Sequence, residues 1–403
     1  MDHFHIQQMP GPPVSETDVE IVERKGLGHP DTICDAVMEA ISQSLCQAYL
    51  ERFGSILHHN CDKGLLVAGQ VERRFGGGRV LEPMRLVIGD RATPFAKKNG
   101  PEVGEIAIEA ARKWLQEHLP RIDPVRHVTY QVELKPGSEE LLSLFDRRQN
   151  VLGANDTSAA VGYAPLSETE RLVLEAERYL NSPEFKKRHP ETGEDVKVMA
   201  VRTRQDLALT IAMPLLDRYV QSEKGYFERK EKIQGLLLRH LQGSLKEIQS
   251  LSISLNALDR PGAGMAGTYL SVIGTSAEDA DSGEVGRGNQ VNGLIALNRP
   301  RGSEAAAGKN PISHVGKIYS VLTHLLADRL CRQVKGLEEV SVWFCSRIGD
   351  AIDQPLMVSV QARLRERFRI ADVEAPIRRM IAEELERMPE FCRELASGRY
   401  SVC

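Results

Sequence analysis

Apolar and polar positions along this chain follow two rhythms, one of about two residues and one of about 3.6, and the places where they change mark its elements. Residues 19–22 are β-prone and lead into a glycine-bearing turn. From Pro30 the apolar positions Ile33, Val37, Ile41, Leu45 and Ala48 form one helix stripe, which ends at Gly54, a residue suited to a helix C-cap. Strand-like runs follow at 56–60, 65–71 and 80–88, broken by Gly76-Gly77-Gly78. Residues 105–119 pattern as an amphipathic helix stopped by Pro120, and 128–134 alternate as a strand.

Between 135 and 162 the pattern gives way to polar, glycine-bearing sequence, which reads as a linker that doubles as a mobile loop. Ser167 and Glu170 then form a capping-box signal for a helix to about residue 181. Strands at 196–202 and 207–213, a helix over 222–249 and a strand at 251–255 complete the middle of the chain. The last third predicts a strand at 268–274, a glycine-rich loop, a helix over 313–333, strands at 340–345 and 356–362, and a final helix from about 373. Middle and last thirds share the order helix, strand, strand, helix, which reads as a structural repeat without sequence self-similarity. Residues 1–14 read as a loose arm. The fold class predicted is α+β with mixed and antiparallel sheets, in units 1–140, 141–255 and 256–403.

Composition changes the picture by exclusion. The 403 residues carry 52 basic and 56 acidic side chains, a net −4, so no basic field recommends nucleic acid or a membrane surface as partner. No run approaches the roughly 18 apolar residues of a membrane span, and residues 1–14 lack a charged stretch followed by an apolar one. A soluble, cytoplasmic protein is expected. Seven scattered cysteines, odd in number and never in C-x-x-C pairs, read as reduced thiols rather than disulfides or a zinc site.

Candidate chemistry concentrates in three stretches. The first is Glu23-Arg24-Lys25-Gly26-Leu27-Gly28-His29-Pro30-Asp31-Thr32-Ile33-Cys34-Asp35. Pro30 suits the first helical position, the glycines let backbone approach a ligand, and Asp31 and Asp35 fall on one helix face. A histidine and a carboxylate at a helix N-terminus suit a metal-bound polyphosphate; the same residues also suit an ordinary strand-to-helix turn. The second is Asp279-Ala280-Asp281-Ser282-Gly283-Glu284-Val285-Gly286-Arg287-Gly288-Asn289, followed by Ala305-Ala306-Ala307-Gly308-Lys309-Asn310-Pro311. Its glycines and arginine suit backbone near a polyanion, and a long surface loop is the plainer alternative. The third, Ala154-Asn155-Asp156-Thr157-Ser158, has the composition of a turn. Two further matches are set aside. Gly262-x-Gly264-x-x-Gly267 precedes a strand pattern where a dinucleotide fingerprint needs a helix. Gly302-x5-Gly308-Lys309 is one residue too long for a P-loop and has no Ser or Thr after the lysine.

Taken together and in register, residues 22–31, 154–158 with 162–167, and 285–289 with 307–311 resemble S-adenosylmethionine synthetase of the archaeal type, over about 17–319. The resemblance implies three similar α+β domains related by pseudo-threefold symmetry, and a homodimer with active sites at the subunit interface. It implies a reaction in which methionine sulfur attacks C5′ of ATP, the whole triphosphate leaves, and the triphosphate is then cut to phosphate and diphosphate. It further implies Mg2+, and a monovalent cation such as K+.

The same resemblance assigns residues. His29 is expected near the leaving 5′ oxygen and Asp31 on the metal. Lys197, Arg287 and Lys309 are expected on the triphosphate, with Asp156 and Asp281 holding the adenosine and methionine portions. Gly28, Gly137, Ser138, Asn289 and His314 complete the expected ATP and substrate contacts, and residues 135–152 correspond to a loop that gates the site. Gln70, Ser282 and Gln290 depart from residues common in relatives and bear on methionine selectivity. The alternatives are a paralogue using another thioether or only hydrolysing triphosphate, and a catalytically silent nucleotide-binding subunit.

Overall fold

The computed structural model of the chain describes residues 3–95, 102–138 and 151–403. Strands β1 (Phe4–Gln8) and β2 (Val19–Lys25) precede helix α1 (Pro30–Phe53). Then come β3 (His59–Val67), the ribbon β4 (Gln70–Glu72) and β5 (Arg79–Glu82), β6 (Met84–Ala92), α2 (Val103–His118) and β7 (Val128–Lys135). The middle supplies β8 (Ala159–Ala164), α3 (Glu168–Leu180), α4 (Pro183–Arg188), β9 (Lys197–Thr203), β10 (Asp206–Ala212), β11 (Leu215–Leu216), α5 (Glu223–Gln242) and β12 (Ser250–Leu255). The remainder holds β13 (Leu270–Ser271), β14 (Gly283–Glu284), β15 (Ile295–Ala296), α6 (Val315–Gln333), β16 (Leu337–Cys345), β17 (Met357–Leu364), α7 (Ile370–Glu386) and α8 (Met388–Ala396).

One strand pattern occurs three times. In the first sheet β3 and β6 form an antiparallel pair, β7 lies parallel beside β6, and β14 is antiparallel on the other side of β3. The second repeats it with β9 and β10 as the pair, β12 parallel to β10 and β2 antiparallel to β9; β15 adds an edge on β2. The third repeats it with β16 and β17, β1 parallel to β17 and β8 antiparallel to β16. Helices α1 and α2 pack on the first sheet, α3 and α5 on the second, α6 and α7 on the third. Each apolar helix face and sheet face then closes a separate core, centred on residues such as Ile41 and Leu86, Leu172 and Val198, and Leu322 and Val342.

The sheets interlock. Strand β2 runs directly into α1 yet belongs to the second sheet, and β8 runs into α3 yet belongs to the third. Segments 4–8 and 19–25 of the expected first unit thus pair with strands of the other two. The turn where β2 hands over to α1 is therefore held by two sheets at once, which positions the candidate site.

Several predicted elements shift. Residues 1–14 were expected as a loose arm, but Phe4–Gln8 pairs with Val358–Ala362 and Phe4 is buried. That partner lies some 350 residues away, and five residues are too few to show a rhythm. The helix expected to 249 ends at Gln242, because the Glu168 carboxylate accepts the amides of Lys246, Glu247 and Ile248 and fixes that stretch as a turn. The strand expected over 268–274 shrinks to Leu270–Ser271; the amides of Val272 and Ile273 donate to Glu278 instead of a neighbouring strand. Gly264–Gly267 is a short 3-10 turn with no helix after it. Among the described residues no helix is long and apolar enough to cross a membrane.

Candidate active site

The site begins where β2 ends. Gly26 donates its amide to the Val196 carbonyl at 2.8 Å and Gly28 to that of Glu194 at 3.0 Å. A Cβ on Gly28 would lie 2.5 Å from the Asp195 amide nitrogen, so the need for glycine there comes from the backbone that leads into β9. His29 then caps α1: its Nδ1 accepts the Asp31 amide at 3.2 Å. That bond places the imidazole proton on Nε2, and burial holds the ring's pKa down at about 4, so His29 is neutral near pH 7.

The two acids of α1 differ. Asp31 accepts Lys25 Nζ at 2.8 Å and the Glu284 amide at 2.9 Å. Asp35 accepts the Gly286 amide at 2.9 Å, and burial pushes its carboxyl up to about 7. Both acids thus tie the glycine-rich loop to the start of α1. A Cβ on Gly288 would lie 2.1 Å from Asp35 Oδ2, so close approach to α1 dictates glycine. Asn289 clamps Lys25 with both ends of its amide, accepting its N–H at 2.9 Å and donating to its carbonyl at 2.7 Å. Lys25 Nζ also donates to the Arg287 carbonyl at 2.6 Å, while the Arg287 guanidinium is exposed.

A second loop, 301–310, comes from farther along the chain. Lys309 is buried, ion-paired with Glu304, and 3.3 Å from Asp62 Oδ2. Glu39 Oε2 on α1 anchors this loop by accepting both the Gly308 amide at 3.0 Å and Lys317 Nζ at 2.6 Å. His314 caps α6 as His29 caps α1, its Nδ1 accepting the Gly316 amide at 3.2 Å, and burial holds its pKa at about 3.

The two loops bound two adjoining clefts. One, of about 570 Å3, is lined by Glu23, Lys25, Asp35, Arg287, Asn289 and Arg301 among others. The other, of about 540 Å3, adds Asp62, Lys63 and Lys309 and shares Gly286, Arg287 and Glu304 with the first. Lys197 stands opposite Lys25 in the β2–β9 register, its Nζ 3.2 Å from Glu23 Oε1 and close enough to His29 to help lower its pKa.

The expected residues thus divide. His29, Asp31, Lys197, Arg287, Asn289 and Lys309 gather around the start of α1 and its two loops. Of these, Arg287, Asn289 and Lys309 line the clefts, while His29, Asp31 and Lys197 do not line them but stand beside Lys25, which does; Gly28, Asp156, Asp281, Gly137, Ser138 and His314 do not line either cleft. The Asp156 loop is fastened to Ser346, whose Oγ donates to the Asp156 carbonyl, and to Ser313 through the Asn155 amide. Asp281 is exposed. A Cβ on Gly137 would lie 2.5 Å from His58 Nδ1; of the expected gating loop, residues 139–150 lie outside the described residues. Sequence reasoning missed Glu39, Asp62, Lys63, Arg301, Glu304 and Lys317. Glu39, Asp62 and Lys317 take their places through pairings across folded elements, and Lys63, Arg301 and Glu304 by lining the clefts; no local pattern marks either.

Among the described residues no three His, Cys, Asp or Glu side chains cluster as a metal cage. A Mg2+ ion that arrives with a polyphosphate needs only one or two protein carboxylates, and Asp31 is a hard oxygen donor at a helix N-terminus, so the donor set fits.

Fold and site together define an α+β protein of three interlocked sheet-and-helix layers, with a cation-lined cleft at a helix start. The chain belongs to the S-adenosylmethionine synthetase (AdoMet synthetase) family, whose model matches residues 2–399. It is 43% identical over 405 residues to a protein named probable S-adenosylmethionine synthase of Aquifex aeolicus, with 100% of each chain covered. It is 44% identical over 402 residues to an S-adenosylmethionine synthase of Aeropyrum pernix, covering 98% of each. The corresponding protein of Pyrococcus furiosus is 46% identical over 360 residues, covering 88% of each. A solved S-adenosylmethionine synthetase of Campylobacter jejuni shares the fold, with TM-score 0.61 at 17% identity, over 94% of this chain and 89% of that one.

Proposed function

We propose that the cleft at the start of α1 carries out this family's reaction and that His29, Lys197, Arg287 and Lys309 do its chemistry. The chain is a methionine adenosyltransferase, making S-adenosylmethionine from ATP and L-methionine. The observation that carries the site assignment is a neutral imidazole with its proton on Nε2, at the N-terminus of a helix and near Lys25, which together with Asp35 of the same helix and Arg287 lines the cleft.

The sulfur of methionine is a neutral nucleophile, so no base is needed. Its lone pair forms the S–C5′ bond as the C5′–O bond breaks, and the electron pair leaves with the triphosphate. The barrier is alignment and charge on the departing oxygen. Nε2–H of His29 donates to that oxygen, and the positive end of α1 adds to its effect. Arg287, Lys197 and Lys309 take the phosphates. Asp31 would hold Mg2+ there, whose charge offsets that of the phosphate chain. A monovalent cation such as K+ belongs to the same proposal. Gly28 and Asn289 keep the turn and the loop in place. Asp156 and Asp281 hold the adenosine and methionine ends, with Gly137, Ser138 and His314 nearby. A homodimer with sites at its interface supplies the walls that one chain lacks, and three consecutive repeats account for the thrice-repeated sheet pattern. Hydrolysis of the triphosphate to phosphate and diphosphate follows. We place the protein in the cytoplasm.

The test is direct. Purified protein with ATP, L-methionine and Mg2+ is expected to yield the sulfonium product by mass spectrometry, with phosphate and diphosphate in equal amount. In parallel, His29→Ala is expected to slow sulfonium formation about 10²- to 10³-fold with an unchanged circular dichroism spectrum. Phosphate without sulfonium from the native protein would overturn the reaction, and a near-native rate from the variant would remove His29 from it.

A further inference from the structure

The side chains lining the two clefts can be sorted by charge partner. Lys25 lies 2.8 Å from Asp31, Lys63 lies 2.7 Å from Asp62, and Lys309 is held between Glu304 and Asp62. Lys197, at the margin, is paired with Glu23. Every lysine here is committed to a carboxylate. Two cations remain, Arg287 and Arg301, both exposed and both lining the larger cleft. Among the described residues neither guanidinium makes a hydrogen bond or an ion pair.

Arg301 contrasts with its near neighbour. Arg299 is buried, paired with Glu170 at 3.0 Å and with Glu339, and donates to the Pro165 carbonyl, so it fastens the second and third sheets together. Arg301 has no such task. It stands on the second loop, and Arg287 on the first. These loops touch: a Cβ on Gly286 would lie 3.2 Å from that of Ala305.

A departing triphosphate carries more charge than one guanidinium can meet. A lysine that meets it must share its charge with the carboxylate it already pairs, as Lys197 and Lys309 do with Glu23, Glu304 and Asp62, whereas an unpaired arginine offers its whole charge. The guanidinium fork also matches phosphate oxygens two at a time. We propose that Arg301 is a second polyphosphate-binding residue that shares the triphosphate with Arg287. This rests on the reading of the cleft as the polyphosphate site.

The experiment is titration calorimetry of the full chain with inorganic triphosphate and Mg2+, alongside steady-state S-adenosylmethionine formation. Loss of a charged hydrogen-bonding partner is expected to weaken triphosphate binding about tenfold or more in Arg301→Ala and to raise KM for ATP. Arg301→Lys keeps the charge but not the fork and is expected to fall between the two. Arg365→Ala, which removes an equally exposed cation beyond β17, serves as the control for net charge and is expected to bind as the native protein does. Native affinity in Arg301→Ala, or equal weakening in Arg365→Ala, would overturn the proposal while native sulfonium formation leaves the underlying reading standing. A native protein that neither binds triphosphate nor makes sulfonium would overturn both.

Discussion

At the scale of single residues, environment separates groups that the sequence presents as equivalent. Asp31 and Asp35 share a helix face, yet Asp31 meets an ammonium and an amide while Asp35 meets two loop glycines in a buried place. Asp35 keeps its proton to about pH 7 in the folded chain, against 3.8 for an ordinary carboxyl. The folded state therefore binds more protons between those values, and the stability this confers is lost as pH rises from about 4 through about 7. Asp35→Asn has no such proton to lose. Its Tm relative to the native protein, measured by calorimetry with a chelator present, is expected to rise between pH 5 and pH 8. An offset that is the same at both would place Asp35 in a water-like setting. His29, Asp31, Arg287 and Lys309 were legible because each sits in a long contiguous motif. The partners that hold the second loop were not, since Glu39 accepts the Gly308 amide and Asp62 meets Lys309 only across folded elements.

At the scale of elements, helices were the legible part. A 3.6-residue stripe needs only local sequence, and α1 starts at Pro30 and stops before Gly54 as its pattern requires. Strands whose only reason is a distant partner, such as β1, or whose partner is replaced by a carboxylate, as after Leu270–Ser271, were not. The join between α1 and α6 is the buried Glu39–Lys317 pair, and it also holds the amide before Lys309. Lys317→Met leaves the Glu39 charge buried without its ion partner and is expected to cost about 3–5 kcal/mol by denaturant unfolding. Glu39→Met with Lys317→Met removes both charges and is expected to recover most of that stability. Its kcat is expected to stay down, because the Gly308 amide has lost its acceptor and Lys309 its anchor. A double variant that regains stability and kcat together would make the pair purely structural.

At the scale of the whole molecule, the chain hands strands from one sheet to the next, so the turn carrying His29 is braced by the second sheet and capped by loops from beyond residue 280. The motifs were readable in sequence, but the interlock that gathers them was not, because it consists of pairings such as Phe4 with Val358 and Glu23 with Met199. The central claim is that this composite cleft releases a whole triphosphate from carbon before cutting it. Rapid-quench analysis of a first turnover, with native protein, ATP, L-methionine and Mg2+, tests it most directly. S-adenosylmethionine and inorganic triphosphate are expected to appear together and in equal amount, with phosphate and diphosphate following. Phosphate released before any sulfonium product would contradict the account.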